Sequence, residues 1–222
     1  MEPQSPTQLN ALIDQIKNEY RETACYTGLS QMDTRVEQAL RSVPRPTFVP
    51  ERDRRYAYGN YPLPIGYNQT ISQPYIVALM TDLLALDSYS RVLEIGTGCG
   101  YQTAVLASIA REVYSIEIVQ ELSAMAADHL RELHYSNVHL RVGDGHEGWP
   151  ESAPFDAIMV TACAEEVPSP LLEQLGSGGR MIIPLQDSYY QQELYLLFRD
   201  EHDQLQRRPI LPVRFVPFIH AR

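Results

Sequence analysis

The chain has 222 residues, 44% of them hydrophobic, and a formal net charge of −10. That length fits one domain with a core of ordinary size, and the acidic balance argues against a nucleic-acid partner, whose phosphates need a basic face. Three cysteines without CxxC spacing, no apolar run near the ~18 residues of a membrane span, and a polar start at Met1-Glu2-Pro3-Gln4 point to a cytoplasmic protein with no disulfide framework and no membrane partner.

Residues 5–20 place Leu9, Leu12, Ile13 and Ile16 on one helical face, and Tyr26-Thr27-Gly28 ends that run. A second short helix is expected over 33–43, with Val36, Ala39 and Leu40 inward. Pro44, Pro46 and Pro50 close it and enforce extended backbone. Arg52, Arg54 and Arg55 read as a solvated turn. Residues 51–73 read as one long irregular loop, a kind of segment that is more often functional than not. From Pro74 a helix is expected to residue 86, carried by Ile76, Val77, Leu79, Met80, Leu83 and Leu84, with Ser72 as its N-cap.

Beyond it, strands are expected at 91–95, 113–117, 138–142, 155–160 and 180–183. Helices are expected between them at 101–110, 120–133 and 170–175. This alternation implies a mostly parallel sheet with helices on both faces, a Rossmann-like α/β fold. Residues 193–199 and 209–216, joined by a turn at 200–203, read as an antiparallel C-terminal addition.

The glycine turn after the first of these strands reads Gly96-Thr97-Gly98-Cys99-Gly100, followed by Tyr101 where a dinucleotide fingerprint wants a third glycine. Glu94 lies two residues before it. A carboxylate there repels a pyrophosphate and suits a cation. S-adenosylmethionine carries an ammonium and a sulfonium and no phosphate, so it is the cofactor expected, with S-adenosylhomocysteine as product. Glu117 ends the second strand, where a carboxylate can accept from ribose hydroxyls, and Asp144 ends the third, where the adenine edge would lie.

Several acceptors are disfavoured. Thr161-Ala162-Cys163-Ala164 after the fourth strand is no Asn/Asp-Pro-Pro-aromatic loop for base amines. Cys99 and Cys163 lack the Pro-Cys setting of cytosine chemistry and read as small buried fillers. The six histidines show no ligand spacing, so no metal is expected.

From Val43 to about Pro217 the chain resembles the protein-L-isoaspartate O-methyltransferases. The residues that carry the resemblance are Arg45-Pro-Thr-Phe-Val-Pro50, Pro62-Leu-Pro-Ile-Gly66, Gln69-Thr-Ile-Ser-Gln-Pro74, Leu93-Glu-Ile-Gly-Thr-Gly98, Gly143-Asp-Gly145, Pro154-Phe-Asp-Ala-Ile158 and Val213-Arg-Phe-Val-Pro217. The resemblance implies methyl transfer to the free α-carboxylate of isoaspartyl residues in damaged proteins and peptides, which then return toward normal aspartate. It also implies that Gln69, Thr70, Ile71 and Ser72 line the cofactor cleft. Glu94, Gly96, Thr97, Gly98, Gly100 and Thr161 would meet the methionine end, Glu117 the ribose, and Asp144 and Gly145 the adenine. Val213 to Pro217, with Val213 and Val216 foremost, would wall the substrate cleft. Residues 1–73 would be a helical and loop elaboration covering it, within a single methyltransferase domain.

The chemistry agrees. A carboxylate is already ionised at neutral pH and needs no general base. It needs desolvation and placement, and a helix N-terminus offers unpaired N–H groups to an anion. Ser72 is therefore expected to orient the acceptor and not to act as a nucleophile. Asn60 and Asn68 depart from the aspartate and glycine usual in the family. Two other readings stay open on the sequence: an O-methyltransferase with another acceptor, and a binding module without turnover. A monomer is the default, since no exposed apolar stripe is evident.

Overall fold

The computed structural model describes residues 6–200, 202 and 204–220. Helix α1 (Pro6–Thr27) buries Leu9, Leu12, Ile13, Ile16 and Tyr20, the face read from the sequence, and Gly28 follows it with φ +76°. Helix α2 (Thr34–Ser42) starts at Asp33, whose side chain accepts from the Arg35 N–H. Short 3-10 helices at Arg45–Phe48 and Glu51–Tyr56 lead to a hairpin of β1 (Leu63–Gly66) and β2 (Gln69–Ile71). The expected irregular loop is thus ordered. Its tip is Tyr67 and Asn68, both at positive φ (50° and 57°), the geometry that joins twisted strands in two residues. Asn adopts that conformation more readily than most residues, so Asn68 serves without glycine.

After α3 (Pro74–Leu83) come β3 (Arg91–Ile95), α4 (Tyr101–Ala107), β4 (Glu112–Glu117), α5 (Gln120–Glu132), β5 (Val138–Val142), β6 (Phe155–Val160), α6 (Ser169–Gln174), β7 (Leu175–Gln186), β8 (Gln192–Arg199) and β9 (Leu205–Pro212). The main sheet runs β5-β4-β3-β6-β7-β8-β9. The first five strands are mutually parallel, and β8 and β9 are antiparallel additions.

Two strands depart from the sequence reading by more than one residue. β7 begins at Leu175, five residues early, because a register shift between Phe155 and Ala157 takes Gly176, Gly178 and Gly179 into the strand. β9 occupies 205–212 and not 209–216, because pairing starts at Arg199↔Leu205, directly after the turn. Residues 201 and 203 of that turn lie outside the described residues.

The connections explain the layers. β3-α4-β4-α5-β5 steps one way across the sheet, and right-handed crossovers put both helices on one face. There Leu106 and Leu122 share a core with Ile13, Leu79, Val92 and Val113. β6-α6-β7 steps the other way, so α6 lies opposite, with Leu171 packed against Leu93, Ile116, Phe155 and Ile158. The direction reverses between β3 and β6, and the carboxyl edge at that reversal is where open α/β sheets bind ligands.

Candidate functional site

At that edge a cleft with about 830 Å³ of empty space lies against the glycine turn. Gly96 has φ +94°, and a Cβ there would fall 2.2 Å from Thr161 Oγ1, so both conformation and space require glycine. Thr161 holds the turn by donating to the carbonyls of Ile95 and Gly96 at 3.0 and 2.8 Å. Glu117 is pinned at the cleft wall: its two carboxylate oxygens accept from the Gly98 and Val119 N–H groups at 2.8 and 2.9 Å. A Cβ on Gly145 would meet Ile95 at 2.3 Å and the Phe218 ring at 3.1 Å, so this glycine keeps the far end of the cleft open.

Ten of the thirteen expected cofactor residues line this cleft: Gln69, Thr70, Ile71, Ser72, Gly96, Thr97, Gly98, Glu117, Gly145 and Thr161. Glu94, Gly100 and Asp144 do not. Side chains alternate along β3, and with Leu93 and Ile95 on the α6 face, Glu94 falls on the α4 face, behind the turn. It is fully buried, and its Oε2 accepts from Thr103 Oγ1 and Ser115 Oγ, each at 2.5 Å. Its Oε1 has no hydrogen-bond partner among the described residues. Burial pushes its pKa up to about 7 against the pull of the two hydroxyls. A buried carboxylate oxygen left unsatisfied behind the turn fits a cofactor that brings positive charge there. Gly100 packs on Ala126 of α5, with 3.2 Å left to a Cβ, and caps α4.

Asp144 sits at the rim. Its carboxylate accepts from the His146 N–H at 2.9 Å, faces His146 Nδ1 at 2.8 Å and lies 3.4 Å from His220 Nδ1. Ligand atoms of Asp144, His146 and His220 thus come within 4.8 Å of one another, a grouping that sequence spacing did not reveal. The two imidazoles are stacked, 3.5 Å between centroids at 16°, with Phe218 on the other face of His146 at 3.8 Å. Parallel rings aim their nitrogens side by side, an arrangement that suits a stack better than the converging donors of a tetrahedral metal centre.

A second, more open groove is lined by Pro62, Gln73, Ile76, Val213, Arg214 and Phe215, among others. Thr70, Ser72, Thr161 and Val216 line both spaces and form the wall between them. Val213 and Val216, expected to wall the substrate cleft, both line this groove. They reach it because Cys163 donates to the Val216 carbonyl and Phe218 donates to the Cys163 carbonyl, each at 2.8 Å. The stretch after β6, read from the sequence as a loop, is an extended edge onto which the chain end is stitched. Cys163 and Cys99 are buried, as expected of fillers, and burial pushes both thiols up to about 11.

Ser72 is not the N-cap of α3. Gln73 is, at φ −53° and ψ 133°, with the Val77 N–H bonded to its carbonyl at 3.0 Å. Proline in the first helical position forces its predecessor into extended backbone, and that predecessor becomes the cap. The Tyr75 N–H is satisfied from outside by Asn60 Oδ1 at 3.0 Å. Asn60 Nδ2 in turn donates to Glu19 Oε2 at 2.6 Å, and Gln73 Nε2 reaches the same carboxylate at 3.2 and 3.3 Å. An amide at 60 can donate to Glu19 where a carboxylate could only repel it, which accounts for the asparagine. Desolvation raises the Glu19 pKa, with the bonds from Asn60 and Gln73 opposing.

The sequence reading missed Ile118, Phe218 and Ile219, which line the cleft at the glycine turn. Ile118 carried a signal, an apolar residue just past the acidic end of a strand. Phe218 and Ile219 carried none beyond following Pro217.

Comparison with known proteins identifies the family and the fold. A family model described as Protein-L-isoaspartate(D-aspartate) O-methyltransferase matches residues 10–222. A Syntrophobacter fumaroxidans protein named Protein-L-isoaspartate O-methyltransferase 2 is 53% identical over 206 residues, 93% of this chain and 83% of its own. An Opitutus terrae protein named Protein-L-isoaspartate O-methyltransferase is 58% identical over 184 residues, 83% of this chain and 78% of its own. A solved protein-L-isoaspartate O-methyltransferase superposes with TM-score 0.79 at 28% identity, over 92% of this chain and 65% of that one. A Plasmodium falciparum structure, described as a complex with S-adenosyl-L-homocysteine, shares the fold with TM-score 0.78 at 22% identity, over 99% of this chain and 100% of that one.

Proposed function

The chain belongs to the protein-L-isoaspartate O-methyltransferase family, and we propose that its two adjoining clefts divide that family's reaction, with the methyl donor on the glycine turn and the acceptor carboxylate at Ser72. The activity is transfer of a methyl group from S-adenosylmethionine to the free α-carboxylate of L-isoaspartyl residues, which initiates repair of damaged proteins and peptides. The observation that carries the residue-level reading is the shared wall: Thr70, Ser72, Thr161 and Val216 border both spaces.

When bound, S-adenosylmethionine supplies a sulfonium methyl group that a carboxylate oxygen can attack. The chain's own residues do the rest. Gly96, Thr97 and Gly98 would hold the methionine end, with Glu94 behind them as the negative charge. Glu117 would take the ribose, and Gly145, Ile118 and Phe218 would close on the adenine. On the acceptor side Ser72 offers a hydroxyl donor. The N–H groups of Gln73 and Ile76, which line the groove, have no acceptor within α3 because they precede its first full turn. Those donors, at the positive end of the helix, fit an anion. Neither lining includes a histidine or a lysine among the described residues. A carboxylate acceptor, ionised at neutral pH, needs no base of that kind. Val216 stands at the junction, with Pro217 and Phe218 beside it on the cofactor cleft.

The finer setting belongs to the same proposal. The stretch before residue 73 is an elaboration of one methyltransferase domain, its hairpin folded over the cleft. The protein works as a cytoplasmic monomer without nucleic acid, a reading supported by the −10 net charge and free cysteines. No helix among the described residues is long and apolar enough to cross a membrane.

The test uses labelled S-adenosylmethionine and paired peptides that differ only in Asp against isoAsp. Base-labile label on the isoAsp peptide alone is the expected result. Equal labelling of both, or cofactor binding without label on either, contradicts it.

A further inference from the structure

Arg45 is 1% exposed and is the largest fully buried side chain among the described residues. The Arg45-Pro-Thr-Phe-Val-Pro50 stretch that contains it lines neither cleft. Its guanidinium Nε donates to the Ala57 carbonyl at 3.0 Å and its Nη2 to the Ser72 carbonyl at 2.8 Å, the Tyr101 hydroxyl also faces it, and Nη1 has no acceptor in hydrogen-bond geometry among the described residues. Its Cζ lies 4.8 Å from the centre of the Tyr101 ring, and Phe48 closes on that ring from 5.5 Å. The titratable groups facing it are Tyr101 and Cys99, and no carboxylate pairs with it among the described residues. Burial pulls its pKa down, but a guanidinium titrates so far above neutrality that it stays charged. An unpaired buried cation is costly, and such groups persist where something compensates them. Of the three residues it touches, Ser72 and Tyr101 line the cofactor cleft, and Ser72 also borders the groove.

We infer that Arg45 is a positioning residue for the methyl acceptor: it fixes the Ser72 main chain and supplies the buried positive charge that the docking carboxylate balances. This rests on the reading that the acceptor docks at Ser72. The reaction consumes a carboxylate and leaves a neutral ester. A cation nearby therefore favours the bound acceptor more than the charge-depleted transition state, and does not retain the product. Its effect falls on acceptor binding.

The experiment compares Arg45→Gln and Arg45→Lys with the wild type on the isoAsp peptide, with S-adenosylhomocysteine affinity measured by calorimetry. The Gln variant should raise the peptide KM about tenfold or more, with kcat falling less than KM rises and S-adenosylhomocysteine affinity within about twofold. The Lys variant, which keeps the charge, should return KM to within about threefold of wild type. A wild-type KM in the Gln variant alongside a lowered Tm makes Arg45 structural and overturns the inference, as does a loss confined to cofactor affinity. If the Gln variant does not fold, the Lys variant decides alone: a near-wild-type KM supports the inference and a rise of about tenfold overturns it. Failure of the wild type to distinguish the isoAsp from the Asp peptide would instead refute the underlying reading, so the two failures are separable.

Discussion

The proposed donor wall and acceptor wall meet at Thr70, Ser72, Thr161 and Val216, yet different forces hold them. The donor wall grows from β3, β4 and β6, where Val92, Leu93, Val113, Ile158 and Met159 are completely buried and strand register sets every position. The acceptor wall, Pro62 and Ser72 to Ile76, depends on a few polar bonds: Asn60 and Gln73 to Glu19, Asn60 to the Tyr75 N–H, and Arg45 to the Ser72 carbonyl. Thr23 and the Tyr75 hydroxyl, 2.5 Å apart, tie the same helix start to α1. Apolar burial is diffuse and tolerant, whereas a polar bond fails when one atom is wrong. Damage to the donor wall should therefore remove cofactor and stability together, and damage to the acceptor wall should spare the cofactor.

The largest expected effect is on the donor wall. Gly96→Ala meets both a left-handed backbone and Thr161 Oγ1. It should cost about 2–4 kcal/mol of stability and about 100-fold or more in S-adenosylhomocysteine affinity, read by denaturation and calorimetry. Intact affinity would break the comparison.

Glu94→Gln comes next. The folded pKa of Glu94, about 7, lies above its ordinary 4.5, so its contribution is fully present below about pH 4.5 and is lost as pH rises through 7. Glutamine copies the neutral form. Urea denaturation from pH 5 to 8 should show a flatter profile for the variant, with a gain at pH 8 on the order of 3 kcal/mol at most. Cofactor affinity should fall, because the charge behind the turn is gone. An unchanged pH slope would contradict the burial argument.

Asn60→Asp probes the acceptor wall. It sets a carboxylate against Glu19 and should cost about 1–2 kcal/mol at pH 8, with less lost near pH 5, where one of the pair takes up a proton. Peptide KM should rise while S-adenosylhomocysteine affinity holds, and Glu19→Gln in the same chain should restore both stability and KM. A cofactor defect here would merge the two walls. The smallest effect belongs to Asn68→Gly at the hairpin tip: a change within about 0.5 kcal/mol and an unaltered KM, since the turn geometry is already met.

The same division governs what could be read in advance. The donor wall is written in local patterns. β3, β5 and β6 match their expected bounds, and the glycine turn and Glu117 fall where strand ends should be. Glu94 was misjudged only in facing, because a buried strand apolar on both sides hides which face a residue takes. The acceptor wall depends on long-range partners. Nothing near residue 60 announces Glu19, and the cap at Ser72 was wrong because Pro74 moves it by one residue. Phe218 reaches the cleft through a pairing with Cys163, which no local pattern encodes.

The central claim is that Ser72 serves the acceptor while the glycine turn serves the donor, and Ser72→Ala tests it most directly. Because Gln73 caps the helix, the variant should keep its fold. The account predicts a fall of roughly 10- to 100-fold in isoaspartyl methylation, the loss of one hydrogen bond to a charged group, with S-adenosylhomocysteine affinity within about threefold of wild type. Methylation near the wild-type rate in the folded variant, or a loss of cofactor affinity that matches the loss of rate, would contradict it.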